Sequence, residues 1–240
     1  MPNLLANWPA PPTVSALTTT KRGGNSLPPY DGNNLALHVG DDECRVLENR
    51  RLLSLSLSFQ QEPIWLTQTH STRCVVVEDD LNREADAAVT RKRQTPLCIL
   101  TADCLPIVLC DEKGTEIAAI HAGWRGLAYG IIENTLKNMQ STKKTLMAWI
   151  GPAICQKCYE VGEELETIFT SQYPFTKDTF INKDAKRYAN LAKMAELILN
   201  VNGIDAVYPS KACSFELKND FYSYRHASQT GRMATIIWLK

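Results

Sequence analysis

The chain has 240 residues, 44% of them hydrophobic, with Lys plus Arg equal to Asp plus Glu at 26 each. This length is ample for a substantial core, and the charge balance excludes a bulk positive field for nucleic acid or an anionic membrane, so any anion site is local. No run approaches the roughly 20 apolar residues that span a bilayer and residues 1–6 lack a signal-peptide pattern, so a cytoplasmic location is expected and the cysteines read as thiols.

In chain order, Trp8-Pro9-Ala10-Pro11-Pro12 predicts an extended lead-in over 1–12. Strands are expected at 15–20, 34–39, 64–69, 74–78, 97–101, 107–110, 117–120, 145–150, 205–208 and 233–239. Alternation in 34–39 sets His38 opposite Leu35, Leu37 and Val39, as a polar residue on a strand face. Helices are expected at 42–53, 127–139, 163–171 and 186–201. In the last, Leu191, Ala195, Ile198 and Val201 share a face and Asn202-Gly203 supplies the stop. Hairpin-like strand pairs between helices predict an α+β fold with mixed sheets. With no linker or internal repeat, residues 1–240 read as a single catalytic domain, and no heptad or apolar surface stripe argues against a monomer.

Three side chains stand at the mouths of strand-like runs: His70 in Thr69-His70-Ser71, Cys104 in Ala102-Asp103-Cys104, and His121 opening His121-Ala122-Gly123-Trp124-Arg125-Gly126. Taken singly, a cysteine or histidine is more often a buried structural group than a ligand. Together, one thiolate and two imidazoles suit zinc and leave a fourth position open, which points to catalysis. Asp111-Glu112-Lys113-Gly114 reads as a hairpin turn that brings Cys104 and His121 to neighbouring strand ends. Gly123 and Gly126 flank a tight bend.

These motifs, with Gly151-Pro152-Ala153-Ile154, Cys158-Tyr159-Glu160-Val161-Gly162, Lys21-Arg22-Gly23-Gly24 and Phe221-Tyr222-Ser223-Tyr224-Arg225, resemble the hallmarks of the YfiH family, also called the laccase-domain or polyphenol-oxidase-like family. The resemblance covers nearly the whole chain. It implies a layered α-β-β-α sandwich and His70, Cys104 and His121 as metal ligands. It further implies purine nucleoside phosphorolysis (adenosine, inosine, guanosine or methylthioadenosine) with adenosine deamination, or peptidoglycan editing that removes a misincorporated serine from a muropeptide precursor.

For deamination, Asp103 is a candidate proton shuttle; equally, it reads as a turn cap or a group orienting a histidine. For phosphorolysis, Arg22 beside two glycines is the first candidate for phosphate, with Arg125, Arg225 and Arg232 as further ones; surface ion pairing accounts for each as well. His226 follows an aromatic segment, but Tyr222 and Tyr224 read as core and stay outside the expected site. Four histidines are too few for a multicopper oxidase. Copper can occupy a His-Cys-His site in vitro, so weak polyphenol oxidation is expected at most. In a rival reading Cys104 is a nucleophile activated by His121 or His70, cleaving an amide. In a non-catalytic one the chain is a zinc or redox module. Cys155-Gln156-Lys157-Cys158 reads as structural, with accidental metal binding as the alternative.

Overall fold

Apolar side chains that alternate between two buried faces build the centre of this protein. The computed structural model describes residues 3–240. Its elements begin with β1 (Asn3–Leu5), β2 (Val14–Thr19), α1 (Glu43–Ser56), β3 (Ile64–Trp65), β4 (Cys74–Val76), β5 (Ala87–Thr90) and β6 (Leu97–Thr101). The hairpin β7 (Leu105–Asp111) and β8 (Ile117–Ala122) follows, then α2 (Trp124–Ala128), α3 (Ile131–Asn138) and β9 (Leu146–Ile150). The remainder comprises β10 (Glu160–Val161), α4 (Glu163–Gln172), β11 (Phe180–Lys183), β12 (Lys186–Ala189), α5 (Leu191–Val201), β13 (Ala206–Pro209) and β14 (Met233–Leu239).

Two mixed sheets, β1-β2-β14-β6-β3 and β13-β9-β7-β8-β5-β4, stack face to face, and β10-β12-β11 form a small separate sheet. Val108 and Cys110 of β7, Trp149 of β9, Leu97 and Ile99 of β6 and Ile237 of β14 fill the space between the large sheets. The alternate residues point outward: Leu105, Ile107 and Leu109 meet α2 to α5, whereas Cys98, Leu100 and Ile236 pack with Leu53 of α1. The layers are therefore α-β-β-α, as the resemblance implies. Among the described residues no helix is long and apolar enough to cross a membrane.

Several elements differ from expectation for local reasons. Residues 34–39 are loop, not strand. Asn34 bonds the Ala36 N–H and carbonyl, Asn49 donates to the Asn34 carbonyl and Arg50 to the Leu35 carbonyl, so side chains replace a ladder. The helix expected at 127–139 starts earlier, at Trp124, and is broken by Gly130 with φ 95°. Residues 186–189 pair with β10 and β11, and α5 begins only after Asn190, whose side chain caps it by accepting from the Lys193 N–H. The expected lead-in starts outside the described residues; Asn3–Leu5 join the sheet as its edge, with Leu5 opposite Leu17.

Candidate metal centre

The site lies where the chain passes from one large sheet to the other. After β6, Ala102, Asp103 and Cys104 carry it across to β7, and antiparallel pairing puts Leu105 opposite Ala122 and Pro106 opposite His121. His121 thus reaches Cys104 through the hairpin, as its turn predicts. His70 arrives from the loop after β3, where Thr67 bridges to Glu84. The donor atoms of His70, Cys104 and His121 all lie within 4.8 Å of one another. His70 Nε2 is 3.8 Å from Cys104 Sγ, and the two imidazole rings meet edge to face at 4.8 Å.

A residue that the sequence analysis missed organises this cluster. Asp86, fully buried, takes His121 Nδ1 at 2.7 Å on Oδ1, which leaves Nε2 as the ligand nitrogen. Oδ1 also accepts from the His70 N–H, and Oδ2 accepts from the N–H groups of Thr69 and Ser71 and the Ser71 hydroxyl. One carboxylate therefore fixes a ring on one sheet and the backbone of the loop opposite, the outer partner that orients a metal-binding imidazole. The available signal was a lone acid in the apolar run Ala85-Asp86-Ala87-Ala88-Val89. Burial opposes the Asp86 charge, but the His121 and Ser71 hydrogen bonds prevail and lower its pKa to about 2. Burial likewise opposes the charged forms of Cys104 and His121. Hydrogen bonds from His121 and His70 nevertheless bring the thiol down to about 6, and those to Asp86 and Cys104 raise the imidazole to about 9.

Backbone strain and close packing converge here. His70 and Asp103 both hold left-handed conformations, with φ 60° and 88°, rare for residues with a side chain and maintained only by strong local contacts. At Gly123 a Cβ would stand 2.7 Å from His70 Cδ2 and 3.4 Å from Cys104 Sγ, so only glycine leaves room for the three donors. A thiol and two imidazoles converging on a space with no room for another side chain fit a single borderline-soft ion such as zinc.

The cluster opens into a cavity of about 520 Å³. Arg125, Arg225 and Arg232 line it with Tyr159, Tyr224 and His38. None of the three guanidinium groups pairs with a carboxylate among the described residues: Arg125 lies over Trp124, Arg225 Nη1 donates to the Glu160 carbonyl, and Arg232 Nη1 donates to those of Thr230 and Gly231. Burial and the nearby Arg232 and Arg50 hold His38 below its ordinary pKa.

Other expected residues fall elsewhere. Arg22 does not line the cavity; it pairs with Asp220 at 2.6 Å, and Gly24 serves the tight approach of its turn to Gly32 and Asn33. Asp103 is present but engaged, accepting from Ser214 Oγ, Ser223 Oγ and the Arg225 N–H at 2.6 to 2.9 Å, which suits an anchor for the 214–225 segment rather than a proton shuttle. His38 and Tyr224, read as a strand-face residue and as core, face the cavity, whereas Tyr222 is buried, donating to the Tyr30 carbonyl. His226 stacks on Phe215 and bonds its carbonyl.

The protein is thus a two-sheet sandwich with an imidazole-thiol cluster, and a cavity lined by three arginines without carboxylate partners, at the crossing between its sheets. The family model described as multi-copper polyphenol oxidoreductase laccase matches residues 15–240, and the chain belongs to that family. It is 41% identical over 98% of each chain to a Haemophilus influenzae protein named purine nucleoside phosphorylase. It is also 32% identical, over 95% of this chain and 94% of the other, to an adenosine deaminase from an unknown prokaryote. A crystal structure of a Neisseria meningitidis protein superposes with a TM-score of 0.94 at 38% identity over 99% of each chain, and one of YlmD from Geobacillus stearothermophilus with 0.84 at 27% over the full length of both. The multi-copper element of the family description does not fit the donors: His226 is turned to Phe215, and among the described residues a single cluster carries imidazoles.

Proposed function

We propose that this enzyme is a zinc-dependent purine nucleoside phosphorylase acting on adenosine, inosine, guanosine or methylthioadenosine, with adenosine deaminase activity at the same site. The observation that carries the reading is the placement of Arg125, Arg225 and Arg232, without carboxylate partners, in the cavity that holds His70, Cys104 and His121. Arg232 is half-buried and Arg125 and Arg225 are exposed to the cavity mouth; guanidinium groups that line a cavity without a carboxylate partner favour an anion from solution, and their planar forks match phosphate. Tyr159 and Tyr224 offer faces against which a purine stacks. The names of the relatives support the same substrate class.

When bound, zinc supplies a Lewis acid at the donor cluster. The chain's own groups do the rest. Asp86 holds the His121 tautomer, the arginines orient phosphate beside the sugar, and the aromatic walls exclude water from the base. Phosphorolysis is favoured over deamination because Asp103, the single carboxylate among the described lining residues, already accepts three hydrogen bonds. Adenosine incubated with zinc-loaded protein, with and without phosphate, and analysed by liquid chromatography with mass detection tests this. Adenine and ribose-1-phosphate are expected only with phosphate, with inosine as the minor product. Cys104→Ala is expected to be folded, zinc-depleted at this site and inactive. Full activity without bound metal, or in that variant, overturns the reading.

A second reading rests on the 3.8 Å Cys104–His70 contact, the geometry of a thiolate nucleophile with an imidazole base. It would serve amide cleavage, such as the peptidoglycan editing that the resemblance implies. Chelation separates the two: it abolishes a metal-assisted reaction and spares a thiolate one. Copper in the same donors would account for weak polyphenol oxidation. We further propose a monomeric, cytoplasmic protein with small-molecule partners, and neither nucleic acid nor membrane as a ligand.

A further inference from the structure

A second set of soft ligands lies outside the cavity described above. Strands β9 and β13 run parallel, with Ile150 opposite Pro209, and their pairing extends past the strand ends through an Ala153–Cys213 bridge. Each strand is thus followed by a tight turn on the same side of the sheet. In one, the Cys158 N–H donates to the Cys155 carbonyl; in the other, the Leu217 N–H donates to that of Cys213. Both turns place chemistry at i and i+3: Cys155-x-x-Cys158 and Cys213-x-x-Glu216. One ligand atom from each of these four residues lies within 4.8 Å of all the others.

The local contacts already link the four side chains. Cys213, 4% exposed, accepts from the Cys155 N–H at 3.3 Å. Glu216 Oε2 receives the Cys155 thiol at 3.8 Å, while Oε1 pairs with Lys157 at 2.7 Å. With their thiol protons displaced, the three cysteines and the carboxylate would carry four negative charges; a divalent cation would halve that excess and Lys157 would reduce it further. In a tetrahedral zinc site with Zn–S bonds of about 2.3 Å, sulfurs stand about 3.8 Å apart, so closing the set needs only a small contraction.

The geometry points to a second, structural zinc site formed by Cys155, Cys158, Cys213 and Glu216. Four protein ligands leave no position open, which separates it in kind from the three-donor cluster at His70, Cys104 and His121. Its role is mechanical. It ties the turn leading to Tyr159 to the segment leading to Tyr224 and Arg225, two walls of the cavity, just beyond the Ala153–Cys213 bridge. The assignment does not depend on which ion, or which reaction, the first cluster supports.

Zinc per chain is measured by inductively coupled plasma mass spectrometry on Cys104→Ala and on Cys104→Ala combined with Cys213→Ser, both isolated without chelator. One equivalent is expected in the first and its loss in the second. Wild-type protein is also alkylated with iodoacetamide with and without one added equivalent of zinc beyond that bound at Cys104, which keeps the test independent of how the double variant folds. Zinc is expected to protect Cys155, Cys158 and Cys213 together, and chelation to expose them. Zinc-free Cys104→Ala, a zinc content indifferent to Cys213→Ser, or equal alkylation with and without zinc overturns the proposal. A Cys155–Cys158 disulfide in freshly isolated protein also overturns it.

Discussion

Asp86→Asn isolates the group that holds the metal centre together. The substitution conserves shape but replaces one anionic oxygen by an amide donor. No orientation of that amide is comfortable: Oδ1 faces the His70 N–H and the His121 ring, and Oδ2 faces the Thr69 and Ser71 N–H groups and the Ser71 hydroxyl. Either way at least two donors lose their acceptor. At about 1.5–3 kcal/mol for each hydrogen bond to a charged group, the metal-free variant is expected to lose about 3–6 kcal/mol. That is a large part of the ~5–15 kcal/mol of a typical domain, so the variant folds with little margin. The His121 ring also loses its fixed tautomer, and zinc affinity is expected to fall about 10–100-fold. Urea unfolding of metal-free protein reads the first quantity and competition with a chromogenic chelator the second. An unchanged unfolding midpoint together with zinc affinity within about twofold of wild type, far from the change expected of an outer-shell partner, would refute the assignment.

Three further outcomes are expected. Gly123 has φ −59° and ψ 156°, which alanine adopts freely, so Gly123→Ala should change stability by less than about 1 kcal/mol while its methyl displaces His70 and weakens zinc binding about tenfold or more; calorimetric titration checks both halves. Arg125→Met, which removes a guanidinium contact worth about 1.5–3 kcal/mol, should raise the apparent KM for phosphate about 10–100-fold and leave that for nucleoside unmoved in steady-state assays. Asp111 caps the β7–β8 turn by accepting from the N–H groups of Lys113, Thr115 and Glu116 and the Thr115 hydroxyl. Burial opposes its charge, but the Glu116 and Thr115 N–H groups prevail and its pKa is lowered. Its stabilisation is therefore present above the unfolded value of about 3.9 and lost as pH falls through the folded one. Asp111→Ala should cost about 2–3 kcal/mol at neutral pH, and the gap between the urea midpoints of the two proteins should narrow progressively as pH falls below about 3.9. A gap that persists in acid would show that the carboxylate charge contributes nothing.

Where sequence and structure agree, a local signal was sufficient. The hairpin that joins Cys104 to His121 follows from a turn between two apolar runs, and β14 spans the 233–239 run in full. The layering was not readable because β6, β7 and β9 are buried on both faces, so their sequences are continuously apolar and do not show which face meets which layer. Residues 34–39 misled because their alternation imitates a strand while Asn49 and Arg50, on a helix more than ten positions away, take up the carbonyls. Within the site, the ligand residues carry their chemistry openly. Asp86 does not, since its meaning comes from a long-range contact with His121. Arg22 looked right by composition, yet the fold gives it to Asp220.

The crossing from β6 to β7 at Ala102–Cys104 has a consequence for how substrate range can change. His70 hangs from a loop beyond one sheet, His121 ends a strand of the other, and Cys104 sits on the bridge, so the aperture of the cavity is set by the spacing between the sheets, about 10 Å in stacked pairs. That spacing is maintained by Trp149, Ile99 and Val108, which are buried between the sheets and do not line the cavity. The width of the mouth is thus tunable from behind. Volume added or removed at those three positions reshapes the entrance without replacing any side chain that a substrate meets.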